Sequence, residues 1–181
     1  SGLIRPLGEW VLGAACEQAA RWKHMGLDLR VAVNVSVRQL DDPAFVEQVR
    51  TALQRHGIDA RGLQLELSEP AVGAATQDVT EPLRRLKDLG LSLVVDNFGT
   101  GHSTLAELKL LPFDRLKIDR SFVREADIEN GDVTIVSAVL SLAHSLDVQV
   151  VAEGVESPTQ LAFLVARGCQ EVQGYHLAPP M

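Results

Sequence analysis

The chain has 181 residues, of which 46% are hydrophobic and 23% charged, with a formal net charge of -7. This is the balance of one globular domain with a sizeable core, and the net negative charge without a long basic stretch excludes non-specific DNA or RNA binding as its main task. The longest apolar run, Val133 to Leu146, is too short and too broken by Ser and His to cross a bilayer, and no signal peptide opens the chain, so a cytoplasmic domain without membrane contact is expected.

Taken in order, the chain starts at Ser1-Gly2 without a Met and runs straight into Leu3-Ile4, which reads as a cut inside a larger protein. A helix is expected over about 7–24, then a strand over Leu29–Val35. Asp42-Pro43 signals a capped helix start; Phe45, Val49 and Leu53 form its apolar face and Gly57 its stop. A strand follows at Leu63–Leu67, then a helix at 79–89, where Pro82 is compatible with a start near Thr80. Next come strand Ser92–Val95, a helix at 103–110 that Ser103 can cap, strand Arg115–Ile118 and a helix at 131–145. Strand Val148–Ala152 precedes a helix opened by Ser157-Pro158, striped by Leu161, Leu164 and Val165 and closed by Gly168. A short strand at Glu171–Gln173 completes the series. Cys16 and Cys169 have no metal-ligand spacing and are expected to be reduced and structural.

Most strand candidates are near-continuous apolar runs, which points to parallel strands buried on both faces. Their alternation with helices implies right-handed βαβ units in a single α/β domain covering 1–181. A closed barrel of this kind takes eight strands and about 250 residues. Six strands therefore mean either an open sheet or two strands upstream of Ser1, and the second reading is preferred.

Polar residues stand at every strand end: Asn34, Glu66 with Glu69 beyond it, Asp96, Lys117 with Asp119, Glu153 with Glu156, and Gln173. In a parallel barrel these ends meet at one mouth. A single charge at a strand end is usually a cap; six in succession point to a site. Glu66, Asp96, Glu153 and the amide oxygen of Asn34 are hard ligands suited to Mg²⁺ or Mn²⁺ and not to zinc. Clustered carboxylates need cations among them, and Lys117 is one. The histidines form no competing cluster, and His102 and His176, nearest the mouth, are read as structural or solvent-facing. The segment Asn97-Phe98-Gly99-Thr100-Gly101-His102-Ser103 is a tight glycine turn without the Gly-Lys-Ser/Thr ending of a P-loop, and a bare turn explains it equally well.

Asn34-Val35-Ser36, Leu65-Glu66-Leu67-Ser68-Glu69, Asp96-Asn97-Phe98-Gly99-Thr100-Gly101, Leu116-Lys117-Ile118-Asp119-Arg120-Ser121-Phe122-Val123, Ala152-Glu153-Gly154-Val155-Glu156 and Gln173-Gly174-Tyr175 occur in the order seen in EAL domains, so essentially the whole chain resembles that family. The resemblance implies a TIM-like (β/α)8 barrel, here about six of its eight strands, that hydrolyses cyclic di-GMP to linear pGpG with two Mg²⁺ or Mn²⁺ ions. It implies metal-ligand roles for Asn34, Glu66, Asp96, Asn97 and Glu153, and a water-activating role for Lys117 supported by Glu156 and Gln173. It also implies substrate-binding or loop-anchoring roles for Asp119, Glu69, Gly99, Thr100 and Gly101, with the glycine loop leading to a homodimer interface. A sensor or GGDEF domain upstream is common in the family. Two departures stand out. The Glu-Ala-Leu motif is absent, which implies that residues 1–181 alone are inactive, and Asn97 stands where the family usually has Asp, which weakens a second metal site. Two readings follow: a phosphodiesterase, or a degenerate domain that binds cyclic di-GMP or a protein without catalysis.

Overall fold

The computed structural model describes residues 2–73, 77–101, 105–125 and 133–179. Its elements follow the chain as α1 (Ile4–His24), β1 (Val31–Asn34), α2 (Val37–Leu40), α3 (Phe45–His56), a 3-10 turn at Ala60–Gly62, β2 (Leu63–Ser68) and α4 (Glu69–Gly73). They continue as α5 (Gln77–Asp88), β3 (Ser92–Phe98), α6 (Leu105–Leu110), β4 (Arg115–Ile118), α7 (Arg120–Glu125), α8 (Val133–Ser145), β5 (Gln149–Glu153), α9 (Pro158–Ala166) and β6 (Glu171–Gln173).

All six strands are parallel and lie in sequence order, β1-β2-β3-β4-β5-β6. Sequential order with same-handed crossovers is the winding of a barrel and not of a doubly wound open sheet. The sheet curls into a half-barrel: Arg115 on β4 reaches Gln64 on β2 at 2.9 Å and Glu171 on β6 at 3.1 Å, and Arg30, just ahead of β1, comes within 3.9 Å of Glu171.

The two faces differ in chemistry. Val33, Leu63, Leu65, Leu67, Leu93, Val95, Leu116, Ile118, Val150 and Ala152 turn to one side and are buried in the core with the helices. Each such fully buried Val, Leu or Ile side chain contributes about 1.5–3 kcal/mol relative to exposure. The register pairs put Asn34 beside Glu66, Arg115 beside Gln149 and Glu153 beside Gln173 on the other face. The expectation of strands apolar on both faces is therefore corrected for β2 and β4. Leu-Gln-Leu-Glu-Leu and Arg-Leu-Lys-Ile alternate because the concave face is polar.

Helix signals in the sequence are honoured with local shifts. Ser157 caps α9 with its hydroxyl accepting from the Gln160 N–H, Pro158 takes the first helical position, and Gly57 ends α3 at φ +62°. The start of α3 is Phe45, since Asp42 caps the turn before it by accepting from the Ala44 N–H. Pro82 lies inside α5, which begins at Gln77 instead of near Thr80. In α9 the buried pair is Phe163 and Leu164, while Val165 is exposed. Both cysteines are free. The expected cap at Ser103, together with His102, lies outside the described residues. Among the described residues no helix is long and apolar enough to cross a membrane.

Candidate active site

The site is built by strand ends. Glu66 is four residues into β2, and Lys117 is the third residue of the four-residue β4. Side chains two apart on a strand share a face, so each points into the concavity along with its ladder neighbours. Lys117 is the centre. Its Nζ lies 2.6 Å from Glu153 Oε1, 3.0 Å from Glu66 Oε2 and 3.3 Å from Asp96 Oδ1. Lys117 and Glu66 are 8% and 5% exposed, so these charges act largely away from water.

Burial, the largest single influence, pushes the Lys117 pKa down, but the hydrogen bonds to Glu153 and Glu66 and the charges of both together outweigh it. The result is a pKa above the ordinary lysine value of 10.5. As an ammonium, Lys117 has donors and no acceptor, so it can orient a water or offset negative charge but cannot abstract a proton. A profile of the unfolding midpoint taken in EDTA between about pH 6 and 9 will accordingly carry no ionisation belonging to Lys117. The check is a comparison with Lys117→Arg: a basic limb present in the parent and missing from the variant would contradict the assignment.

A bulge brings Asp96 and Asn97 opposite Lys117. Val95 pairs with Leu116 and Phe98 with Ile118, so two residues of β3 face one of β4. Asn97 takes φ +55°, a left-handed conformation that Asn tolerates better than most residues. Its Nδ2 donates to Asp96 Oδ2 at 3.0 Å. Asp96 Oδ1 is buried without a hydrogen bond; its contact with Lys117 is one of charge without alignment.

Among the described residues no three His, Cys, Asp or Glu side chains are preset around a common metal position; what the carboxylates share is the Lys117 ammonium. The donor set nevertheless fits a hard divalent cation. Three carboxylates around one ammonium leave two formal negative charges uncompensated, Asp96 Oδ1 is an orphaned buried acceptor, and Asn34 is an exposed amide on the ladder beside Glu66.

Glu69, 2% exposed at the start of α4, anchors the glycine turn: its Oε2 accepts from the Gly99 N–H at 2.7 Å and the Gly101 N–H at 2.9 Å. Gly99 has φ +102°, and a Cβ there would fall 2.6 Å from the Phe122 ring, so the turn is held between Glu69 and α7. Thr100 closes it by donating its hydroxyl to the Asn97 carbonyl at 2.8 Å. Asp119 Oδ1 accepts from the Ser121 N–H and hydroxyl at 2.8 and 2.6 Å, which caps α7. Glu156 is exposed two residues past Gly154, and Gln173 pairs with Glu153 at the end of β6. The structure therefore gathers Glu66, Asp96 and Glu153 around the Lys117 ammonium. It sets Asn34, Asn97 and Gln173 beside them and leaves Glu69, Gly99, Thr100, Gly101 and Asp119 in the adjoining turn and cap.

A second polar layer lies below the first and was not singled out from the sequence. Arg115, 7% exposed, donates from Nε to Gln149 Oε1 at 3.0 Å and from Nη1 to Gln64 Oε1 at 2.9 Å, and pairs with Glu171. The signal was the period of two that sets Gln64 before Glu66, Arg115 before Lys117 and Glu171 before Gln173.

Comparison with known proteins agrees with this geometry. The EAL domain model matches residues 1–180. The cyclic di-GMP phosphodiesterase NbdA of Pseudomonas aeruginosa is 42% identical over 182 residues, covering 100% of this chain and 23% of that protein. The bifunctional diguanylate cyclase/cyclic di-GMP phosphodiesterase MucR of the same organism is 41% identical over 182 residues, covering 100% of this chain and 27% of that protein. The solved PaMucR phosphodiesterase, a c-di-GMP complex, superposes with a TM-score of 0.93 at 41% identity, covering 99% of this chain and 73% of that one. The chain thus spans about a quarter of the length of these curated relatives. A sequentially wound parallel sheet with acidic strand ends gathered on one lysine, matched over nearly every residue, places this chain in the EAL domain family.

Proposed function

We propose that this domain serves a cyclic di-GMP phosphodiesterase, opening the cyclic dinucleotide to linear pGpG. The observation that carries the reading is the convergence of Glu66, Asp96 and Glu153 on Lys117 with Asp96 Oδ1 left unsatisfied, in a chain whose relatives are named for this activity. Asn34, Glu66, Asp96 and Glu153 would hold Mg²⁺ or Mn²⁺. Bound there, the ions supply a nucleophilic water at neutral pH and offset charge on the phosphodiester oxygens. Lys117 donates a hydrogen bond to the attacking water or to the charge that develops on phosphate. Gln173, in register with Glu153, and Glu156, three residues beyond Glu153, would orient that water. Glu69 ties the exit of β2 to the glycine turn, which supports the proposal that site and homodimer interface communicate through it. The bifunctional relative supports an upstream cyclase-type domain in the whole protein, and a second-messenger substrate supports a cytoplasmic setting.

Asn97 favours a second reading, a domain that binds cyclic di-GMP without cleaving it. Its amide already satisfies Asp96 Oδ2, a task a second cation would otherwise perform. The deciding experiment incubates the full-length protein with cyclic di-GMP and Mn²⁺ and resolves products by chromatography. Steady pGpG production supports the enzyme, and saturable binding without product supports the receptor. In the same assay Asn97→Asp is expected to raise turnover or Mn²⁺ affinity by about tenfold, because it adds charge to a hard-cation site. It should also lower the thermal midpoint in EDTA, where two adjacent carboxylates lose the amide donor between them. An unchanged midpoint in EDTA would show that the Asn97–Asp96 hydrogen bond matters little.

A further inference from the structure

Gln64 lies two residues before Glu66 on β2 and shares its face. An amide has a donor end and an acceptor end, whereas a guanidinium only donates. Arg115 Nη1 sits 2.9 Å from Gln64 Oε1, so the acceptor end of Gln64 is committed to Arg115 and the donor end must face away. There it meets Glu66: Gln64 Nε2 donates to Glu66 Oε1 at 3.1 Å. The other carboxylate oxygen, Oε2, accepts from Lys117 at 3.0 Å. Both oxygens of Glu66 are thus fixed by donors from opposite sides, and the carboxylate plane is set. The Arg115 fork cannot turn freely to release Gln64, because its Nε is bound to Gln149 on β5 and its Nη2 pairs with Glu171 on β6.

We propose that Gln64, oriented by Arg115, is a positioning residue that presents the Glu66 carboxylate to a divalent cation. The proposal rests on the reading of Glu66 as a metal ligand. It extends that reading to a polar layer around the buried Arg115, which makes the lower strand register part of the site. Arg115 does not touch the ion; its influence runs through one amide.

The test is Mn²⁺ affinity of the full-length protein, measured by calorimetric titration without nucleotide, beside its thermal midpoint. Q64M keeps length and apolar bulk while removing both hydrogen bonds. It should weaken Mn²⁺ binding about tenfold, the scale of a lost outer partner of a metal ligand. R115K should do the same, since a single ammonium cannot hold Gln64, Gln149 and Glu171 together. In the Q64M background the R115K effect should vanish, because the relay is already cut; a purely structural role would leave the two effects additive. E66Q reports on the underlying reading and should weaken Mn²⁺ more than Q64M does. If E66Q loses Mn²⁺ while Q64M and R115K bind it as the parent does, Glu66 stays a ligand and the positioning role is overturned. Additive effects overturn it too. If E66Q binds as tightly as the parent, the ligand reading fails and the positioning role falls with it. Should Q64M not fold, R115K alone carries the tenfold expectation, and parent-like binding by R115K overturns the proposal.

Discussion

Lys117→Met will be the most damaging exchange of a charged residue in this domain. The substitution leaves Glu66, Asp96 and Glu153 facing one another in a site where Lys117 and Glu66 are 8% and 5% exposed. Removing one partner of a buried ion cluster costs about 3–5 kcal/mol, because the remaining charges stay buried and uncompensated. In EDTA, denaturant unfolding should show a loss of that size. Millimolar Mn²⁺ should restore part of it, since a dication can take over the role of the ammonium. Turnover should not return with stability. A preorganised donor aimed at developing charge is worth about 10²–10³ in rate, and Met offers none. The pH dependence has a definite sign. The folded pKa of Lys117 is raised, so its stabilising contribution is fully present below the ordinary lysine value of 10.5 and is lost only as pH climbs through the higher folded value. The gap between parent and variant should therefore hold across neutral and mildly alkaline pH. Equal unfolding midpoints for the two proteins in EDTA would mean that the carboxylates do not depend on Lys117.

The strands were legible because most are short stretches rich in β-branched residues or leucine between polar or glycine residues, and β4 and β6 fall where the sequence places them. The strand ends moved by one to three residues, since the ladder and not composition decides where pairing stops. Helices α2, α4 and α7 went unread because four to six residues complete too little of a helical period to show a face. The acidic strand ends and Lys117 as a cation among them were visible; that all three carboxylates reach this one ammonium is a matter of distances across β2, β3, β4 and β5. The bulge at Asp96-Asn97 was hidden for a similar reason, as an extra residue in one strand appears only against its partner's register. The Arg115 layer is the most instructive omission. Its members were present at alternate positions, yet each looked like an ordinary polar residue at a strand start until the curl of the sheet brought three further strands within reach of the β4 guanidinium.

Gly174→Ala should be nearly as severe as Lys117→Met, and for a reason that involves no charge. Gly174 is not in the left-handed region; what it supplies is proximity. A Cβ at this position would lie 2.1 Å from the Val155 carbonyl oxygen, 2.3 Å from its nitrogen and 2.7 Å from its carbonyl carbon. These are backbone atoms, so no rotamer change can relieve the clash. They are also bonded in place: the Val155 N–H donates to the Gln173 carbonyl and the His176 N–H donates to the Val155 carbonyl, both at 3.0 Å. The added methyl must break this clamp or move β6 off β5. Overpacking of a fitted site costs about 1–3 kcal/mol, and each lost hydrogen bond adds about 1 kcal/mol, so a loss near 4 kcal/mol is expected. The injury is local to the chemistry, because the clamp follows directly on the Glu153–Gln173 register pair. Folded G174A protein should therefore show weaker Mn²⁺ binding as well as a lower unfolding midpoint. Gly13→Ala is the contrasting case: it lies inside α1 with nothing within 4 Å of the added Cβ, so helix propensity should make it stabilising by up to about 1 kcal/mol. Were G174A to unfold at the parent's midpoint and bind Mn²⁺ as the parent does, Val155 would have to retreat without cost, and the exits of β5 and β6 would not be the rigid frame that holds Glu153 against Lys117.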